Sequence, residues 1–279
     1  MSIITIIPVS IILGAIYFIF NLNGKIAYNY VIVMLFIFIW TFFGGIISWL
    51  ASLIFAKFLL DVRIIKPDEK DPMLAKVAMI VKNTAIKAGL KNIPQTGFYK
   101  SNEINALASG PFKNYSLIAV SNRLINEMND DQIEGVIAHE ISHIQQGDTE
   151  TMTIMQGAVN AEILFMSFII CSLLGIPPEN AQTEVYAFEV FFGLFGLMAV
   201  SSFSRRREFR ADEGSARLAG KEKIISALKA LQKDKCSSFD SHTSMSAFKI
   251  CGNTESFFKL LATHPPIEER IKRLEELQY

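Results

Sequence analysis

Asn129-Asp130-Asp131-Gln132-Ile133-Glu134-Gly135-Val136-Ile137-Ala138-His139-Glu140-Ile141-Ser142-His143-Ile144-Gln145-Gln146-Gly147-Asp148 is the stretch on which the reading of this chain turns. Asn129 with Gln132 has the form of a capping box, so a helix opens here. Its apolar stripe is Ile133, Val136, Ile137, Ile141 and Ile144, at helical spacing. His139 and His143 stand at i and i+4 on the remaining arc, so both imidazoles can meet one ion. Glu140 lies between them, in the pattern H-E-x-x-H, where it cannot easily ligate but can hold a water bound to the metal. Taken alone, the pentapeptide also fits a surface helix with chance histidines. Its polar flanks, Asn129 to Gln132 and Gln145 to Asp148, argue against a helix immersed in lipid. They therefore argue against an intramembrane protease that cuts within spanning helices.

A catalytic zinc of the His₂Glu type needs one carboxylate from elsewhere and an open fourth position. The segment Ser204-Arg205-Arg206-Arg207-Glu208-Phe209-Arg210-Ala211-Asp212 supplies candidates. Glu208 and Asp212 share a helix face at i and i+4. One can ligate while the other accepts the free N–H of a ligand imidazole. Asp148, just past the second histidine, is a further possible acceptor, although an acid at a helix end needs no such reason.

Outward from these segments the chain is strongly apolar. It has 279 residues and 51% hydrophobic content, concentrated in two regions, which points to a bilayer. Before Asp61 the only charged side chains are Lys25 and Lys57. An apolar run from Ile3 to Phe20 and a second from about Tyr30 to Leu60 flank the polar break Asn21 to Lys25. A spanning helix needs about 20 residues, so the second run can tilt or protrude. A cleaved signal peptide fits the first run poorly, for want of a basic start and a small-residue exit. The second region runs from about Thr153 to Ser204: Ile154 to Ile176 is apolar apart from Glu162, Val185 to Phe203 is apolar apart from Glu189, and the turn Pro177-Pro178-Glu179-Asn180 lies between them. A buried helical hairpin of a soluble domain is the alternative, because Glu162 and Glu189 are costly in lipid. Lys57, Arg63, Lys66, Lys70, Arg205, Arg206, Arg207 and Arg210 flank the hairpin bases, so the polar segments are expected to face the cytoplasm.

Lys+Arg and Asp+Glu both number 27, and nothing in that balance argues for nucleic acid, which needs a strongly basic face. Cys171, Cys236 and Cys251 form no CxxC pair and no disulfide framework, and none is needed as a nucleophile. Between the apolar regions, Asp71-Pro72 reads as an N-cap with proline at N1. The helix that follows carries Leu74, Val77 and Val81 and ends near Gly89. Short strands are expected at Gly97 to Tyr99, Ile104 to Ala108 and Tyr115 to Val120, with Ser109-Gly110-Pro111 breaking them apart. Lys221 to Tyr279 reads as helices separated by a Ser-rich loop around Ser237 to Ser246, where His242 looks idle.

Four ordered motifs now carry a resemblance over nearly the whole chain. They are Asn105-Ala106-Leu107-Ala108-Ser109-Gly110, Ala138 to His143, Ser204 to Asp212, and Thr263-His264-Pro265-Pro266 with Glu269-Arg270-Ile271 following. Together they resemble the HtpX family of membrane-bound zinc metalloproteases, related to the CAAX prenyl proteases. Leu107 and Ser109 depart from the Phe and Thr usual there, away from the metal site. The resemblance implies His139, His143 and Glu208 as ligands of one Zn²⁺, with Asp212 and Asp148 behind them. It implies that Glu140 activates a zinc-bound water for peptide hydrolysis. The strand beginning at Asn105 and Ala106 looks like the edge that pairs with an extended substrate, which tolerates many sequences. A plain strand and turn is the alternative. A His at position 264 is expected to stabilise the oxyanion, with Arg270 near the substrate; a capping His and a surface Arg are the alternatives.

The expected fold is mainly α with a small β-sheet: a zincin-like catalytic domain with two transmembrane helical hairpins. Residues 1–60 form the first hairpin and 153–203 the second, inserted in the catalytic domain, whose parts are 61–152 and 204–279. His143 lies about ten residues from the second apolar run, roughly 15 Å if helical, so the metal is expected just above the cytoplasmic surface of the bacterial inner membrane. Misfolded or damaged membrane proteins are the expected substrates, and protein quality control under stress the expected setting. The rival class is a non-catalytic zinc-containing membrane scaffold, against which the intact Glu140 speaks.

Overall fold

The computed structural model describes residues 46–47, 49–54, 56–176, 181–239 and 261–277. Nearly all of the first expected hairpin, the turn at Pro177 to Asn180, and the loop holding His242 and Cys251 lie outside them, as does the side chain of Cys236. In chain order the elements are α1 (Trp49–Leu59), β1 (Arg63–Ile64), α2 (Pro72–Lys87), β2 (Gln95–Tyr99), β3 (Ala106–Phe112) and β4 (Tyr115–Ser121). They continue with α3 (Asn122–Glu127), α4 (Asp130–Gln146), α5 (Asp148–Leu173), α6 (Gln182–Ala219), α7 (Lys221–Phe239) and α8 (Ile267–Glu276). Among the described residues the protein is thus mostly helical with one small mixed sheet. Contacts divide it into two units: Met1–Ser48 with Thr151–Ser202, and Trp49–Glu150 with Phe203–Tyr279.

In the second unit the sheet order is β1-β2-β4-β3, with β2 and β4 parallel and the other pairs antiparallel. The central strand β4 is buried on both faces, which follows from its unbroken apolar run Leu117-Ile118-Ala119-Val120. Ile118 and Val120 pack with Leu74, Val77 and Val81 of α2 and Ile137 and Ile141 of α4. Leu117 and Ala119 turn the other way, onto Tyr99 and Leu53 of α1. The apolar stripe of α4 therefore meets the sheet, and His139 and His143 lie off that stripe.

Local chemistry sets where α2 and α4 begin. Asp71 accepts from the Met73 N–H with Pro72 at N1. At the start of α4 both halves of the capping box form, Asn129 Oδ1 accepting from Gln132 N and Gln132 Oε1 from Asn129 N, each at 3.0 Å. Gly147 ends the helix at φ +70°, a left-handed conformation in which a Cβ is strained. Helix α5 then starts at once with Asp148, which brings that carboxylate back beside the last turn of α4.

The sheet departs from expectation at β3. Ser109-Gly110-Pro111 does not break the strand; it forms an irregularity within it, between Ser109 and Phe112. Gly110 has φ +145°, and a Cβ there would lie 2.2 Å from Tyr115 O. The edge position of β3 explains how Pro111 is tolerated without a donor N–H. The short strand β1 and the one-and-a-half-turn helix α3 carry too little periodicity to be seen in advance.

In the first unit, the apolar stretches of α5 and α6 pack through Cys171, Ala181 and Val185 with Leu164, Phe168 and Phe188. Both helices are long and apolar enough to cross a membrane. Large side chains on them stay exposed, among them Ile154, Tyr186, Val190 and Phe191, as suits helices whose solvent is lipid. Glu162 and Glu189 are half-buried. The boundaries expected at 152 and 203 fall inside continuous helices.

Candidate metal centre

Helix α4 presents His139 and His143 one turn apart, their rings perpendicular with centroids 4.7 Å apart. The two Nε2 atoms approach to 3.1 Å. Glu208 arrives from α6, with Oε2 3.6 Å from His139 Nε2 and Oε1 3.5 Å from His143 Nε2. The structure thus brings together three potential ligand atoms from two distant segments, all within 4.8 Å of one another.

Behind each imidazole stands a buried carboxylate. His143 Nδ1 lies 2.6 Å from Asp148 Oδ2, so an N–H there donates to Asp148. His139 Nδ1 lies 3.0 Å from Asp212 Oδ1, although off the line of a straight hydrogen bond. Each carboxylate is in turn held by an arginine. Asp148 Oδ1 is 3.1 Å from Arg207 Nε and 3.7 Å from Arg210 Nη2. Asp212 accepts from Arg270 Nε at 2.8 Å and Nη2 at 2.7 Å, a two-pronged ion pair. With their Nδ1 atoms turned to carboxylates, both imidazoles direct Nε2 into the gap beside Glu208.

The charges are mutually dependent. Burial alone would lower the His139 pKa, but contacts with the carboxylates of Asp212 and Glu208 outweigh it and raise it to about 9. His143 is likewise raised, Asp148 and Glu208 overriding the effect of burial. Burial would raise Glu208, yet His139, His143 and His264 hold its carboxyl well below the usual range. Asp212 is lowered in the same way, with Arg270 and His139 overriding burial. Two imidazoles raised and a carboxylate lowered by one another mark a pocket that favours positive charge.

A divalent ion fits that preference. Tetrahedral coordination with bonds of about 2.0–2.1 Å spaces ligand atoms about 3.3 Å apart. The observed 3.1, 3.5 and 3.6 Å separations bracket that value. Two imidazoles and one carboxylate, with outer carboxylates holding the rings, are the donor set of a metal site with a position left open.

Glu140 is half-buried next to this pocket. Burial pushes its carboxyl up, partly offset by His139 and His143 and by the backbone of Ala108. That last contact puts the edge strand β3 against the acid. Asn105, just before β3, donates its N–H to Ser121 Oγ and accepts from Ser121 N, and Ala106 pairs with Val120. Both are therefore bound on their β4 side. His264 is exposed, with Nδ1 3.0 Å from Glu208 Oε2. Arg270, assigned above to substrate, is buried, with Nη1 3.6 Å from Glu208 and its other nitrogens given to Asp212. A helix start too polar to read as core gave no sign of that burial.

Arg207 was not singled out by the sequence. It sits in a run of three arginines that reads as a membrane-flanking charge cluster, and only the fold turns this one inward to Asp148. Replacing Asp148 by Asn is expected to weaken metal binding about 10–100-fold, the usual loss for an outer partner of a ligand histidine. Titration against a chromophoric chelator measures it, and unchanged affinity would show that His143 is oriented by something else.

Comparison with known proteins agrees with this geometry. The model of "Peptidase family M48" matches residues 74–278. A Protease HtpX homolog of Bacillus licheniformis is 37% identical over 264 residues, covering 92% of this chain and 88% of that one. Protease HtpX of Idiomarina loihiensis is 44% identical over 203 residues, 70% of each chain. The crystal structure of S. mikatae Ste24p superposes with a TM-score of 0.62 at 17% identity, over 96% of this chain and 66% of that one, which shows a shared fold. The extent of these matches leaves no doubt of kinship: the chain belongs to peptidase family M48, among its HtpX members, and is a membrane metalloprotease.

Proposed function

We propose that the protein is a membrane-anchored zinc endopeptidase that cleaves misfolded or damaged membrane proteins on the cytoplasmic side of a bacterial inner membrane. One observation carries this reading: two imidazoles and the Glu208 carboxylate converge on a single point beside a half-buried acid that is not itself a ligand. His139, His143 and Glu208 would hold the ion, and the His₂Glu set favours zinc. When bound, zinc supplies Lewis acidity, polarising a carbonyl and lowering the pKa of water to about 7.

The remaining work falls to the chain's own groups. Glu140 takes a proton from the attacking water and passes it to the leaving amine, a role suited to a carboxyl whose proton affinity burial raises. The outer edge of β3, which pairs with no strand among the described residues, binds the substrate main chain as an added strand, which positions a peptide bond above α4 without demanding particular side chains. His264, exposed and next to Glu208, donates to the oxyanion. Arg270 and Arg207 are positioning residues, acting through Asp212 and Asp148 on the ligand imidazoles.

In this reading, residues 1–60 and 153–203 each form a transmembrane hairpin, and 61–152 with 204–279 form one zincin-like domain. Lys57, Arg63, Lys66, Lys70 and the arginines from Arg205 to Arg210 keep that domain in the cytoplasm. The test is cleavage of an unfolded membrane protein by the full chain in detergent. A strong chelator is expected to stop cleavage and stoichiometric zinc to restore it. Cleavage that persists without metal would overturn the assignment.

A further inference from the structure

The turn between β3 and β4 carries two large side chains outward, Phe112 at 43% and Tyr115 at 68% exposure. The turn is braced, so this is not the disarray of a loose loop. Lys113 Nζ donates to Gln145 O at the end of α4 at 2.6 Å, and Asn92 Nδ2 donates to Asn114 O at 3.3 Å. A fixed hairpin tip thus holds a phenylalanine and a tyrosine in the open.

Its direction is set by α1. Ser109 Oγ donates to Ser52 O, and the Phe112 ring meets Trp49 edge-on with centroids 4.8 Å apart. Three steps along β3 are thus three steps back along α1, so the strand and the helix run antiparallel. The tip consequently lies beside Trp49, at the N-terminal end of α1, and in sequence α1 follows residues 26–48, a stretch without one charged side chain. The outward face of α1 is apolar as well. Leu50, Ile54 and Phe58, at i, i+4 and i+8, are 49%, 69% and 83% exposed. Exposed apolar side chains scattered singly need no explanation, but a helical stripe together with a braced aromatic tip does. Trp, Tyr and Phe gathered where an apolar run leaves the bilayer are the usual composition of the membrane–water interface.

We propose that the β3–β4 hairpin tip, through Phe112 and Tyr115 beside Trp49, inserts into the headgroup region of the bilayer as an interfacial anchor. The partner is the lipid surface. Because β3 lies against Glu140, the anchor also fixes the height of the substrate edge above the membrane. The anchor does not depend on the assignment of metal or substrate.

The test uses the full chain in vesicles of phosphatidylethanolamine and phosphatidylglycerol. Cys171→Ala, Cys236→Ser and Cys251→Ser give a background into which Tyr115→Cys is introduced and spin-labelled. Lys82→Cys, on the exposed face of α2, is the aqueous control. Relaxation by oxygen, which partitions into lipid, is compared with relaxation by a water-soluble nickel chelate. The label at position 115 is expected to show an oxygen-to-nickel ratio several-fold above that at position 82. Phe112→Cys gives an independent second probe with the same expectation. Equal ratios at 115 and 82 would place the tip in water and overturn the proposal. Protection from both reagents would also overturn it, pointing to burial against protein, such as a second copy of the chain. An unchanged thermal unfolding profile verifies that each labelled chain is folded.

Discussion

Glu140→Gln is expected to lower kcat/KM by about 10²–10⁴-fold while the protein retains its metal. The substitution keeps the shape of the side chain and removes only its capacity to take a proton. Glu140 offers no atom to the convergence of His139, His143 and Glu208, so the ligand set survives. The rings also keep their outer carboxylates, because Asp148 and Asp212 are untouched. Two measurements are needed: hydrolysis of an unfolded membrane protein, and metal content of the dialysed protein by atomic absorption. Full activity in the Gln variant would remove the general base from the mechanism. Loss of metal would make Glu140 a ligand and contradict the geometry.

Glu208→Ala is expected to do the opposite to the metal. One of three protein ligands disappears, so zinc should be lost on dialysis and activity with it. Stability should fall too. Glu208 is buried and faces His139, His143, His264 and the Arg270 guanidinium. Removing one partner from a buried charged network costs about 3–5 kcal/mol, because the remaining charges lose their compensation. The sign of the pH dependence follows from the depressed carboxyl. In the metal-free wild type its stabilisation is present above the ordinary glutamate value of 4.5 and is lost as pH falls below it into strong acid. The unfolding difference between wild type and variant should therefore be full at neutral pH and shrink on acidification. Stoichiometric metal in the Ala variant would mean that another carboxylate completes the site.

The contrast between the two substitutions separates ligand from base, a distinction only partly legible in the residues. H-E-x-x-H on a helix implies two ligands and a base because the spacing of a helix is local knowledge. The choice between Glu208 and Asp212 is different. Both lie on one face of α6, and i,i+4 periodicity treats them alike. The fold separates them: Glu208 meets the two Nε2 atoms, while Asp212 meets Nδ1 of His139 and the fork of Arg270.

The same division runs through the whole molecule. The sequence by itself determined the start of α4 through Asn129 and Gln132 and the end of α2 near Gly89. It likewise determined the apolar strand β4 and the long apolar stretches of α5 and α6. Each of these depends on side chains within about four residues of one another, where periodicity and capping act. Only the tertiary structure decided that β3 runs on through Gly110 and Pro111 at a sheet edge, that Arg207 turns inward to Asp148, and that Arg270 is buried on Asp212. Those outcomes join residues up to about sixty positions apart, and their free energy comes from desolvated charges finding partners across the fold. No local pattern encodes such a partner, because the low dielectric that makes the pairing strong exists only once the chain has closed around it.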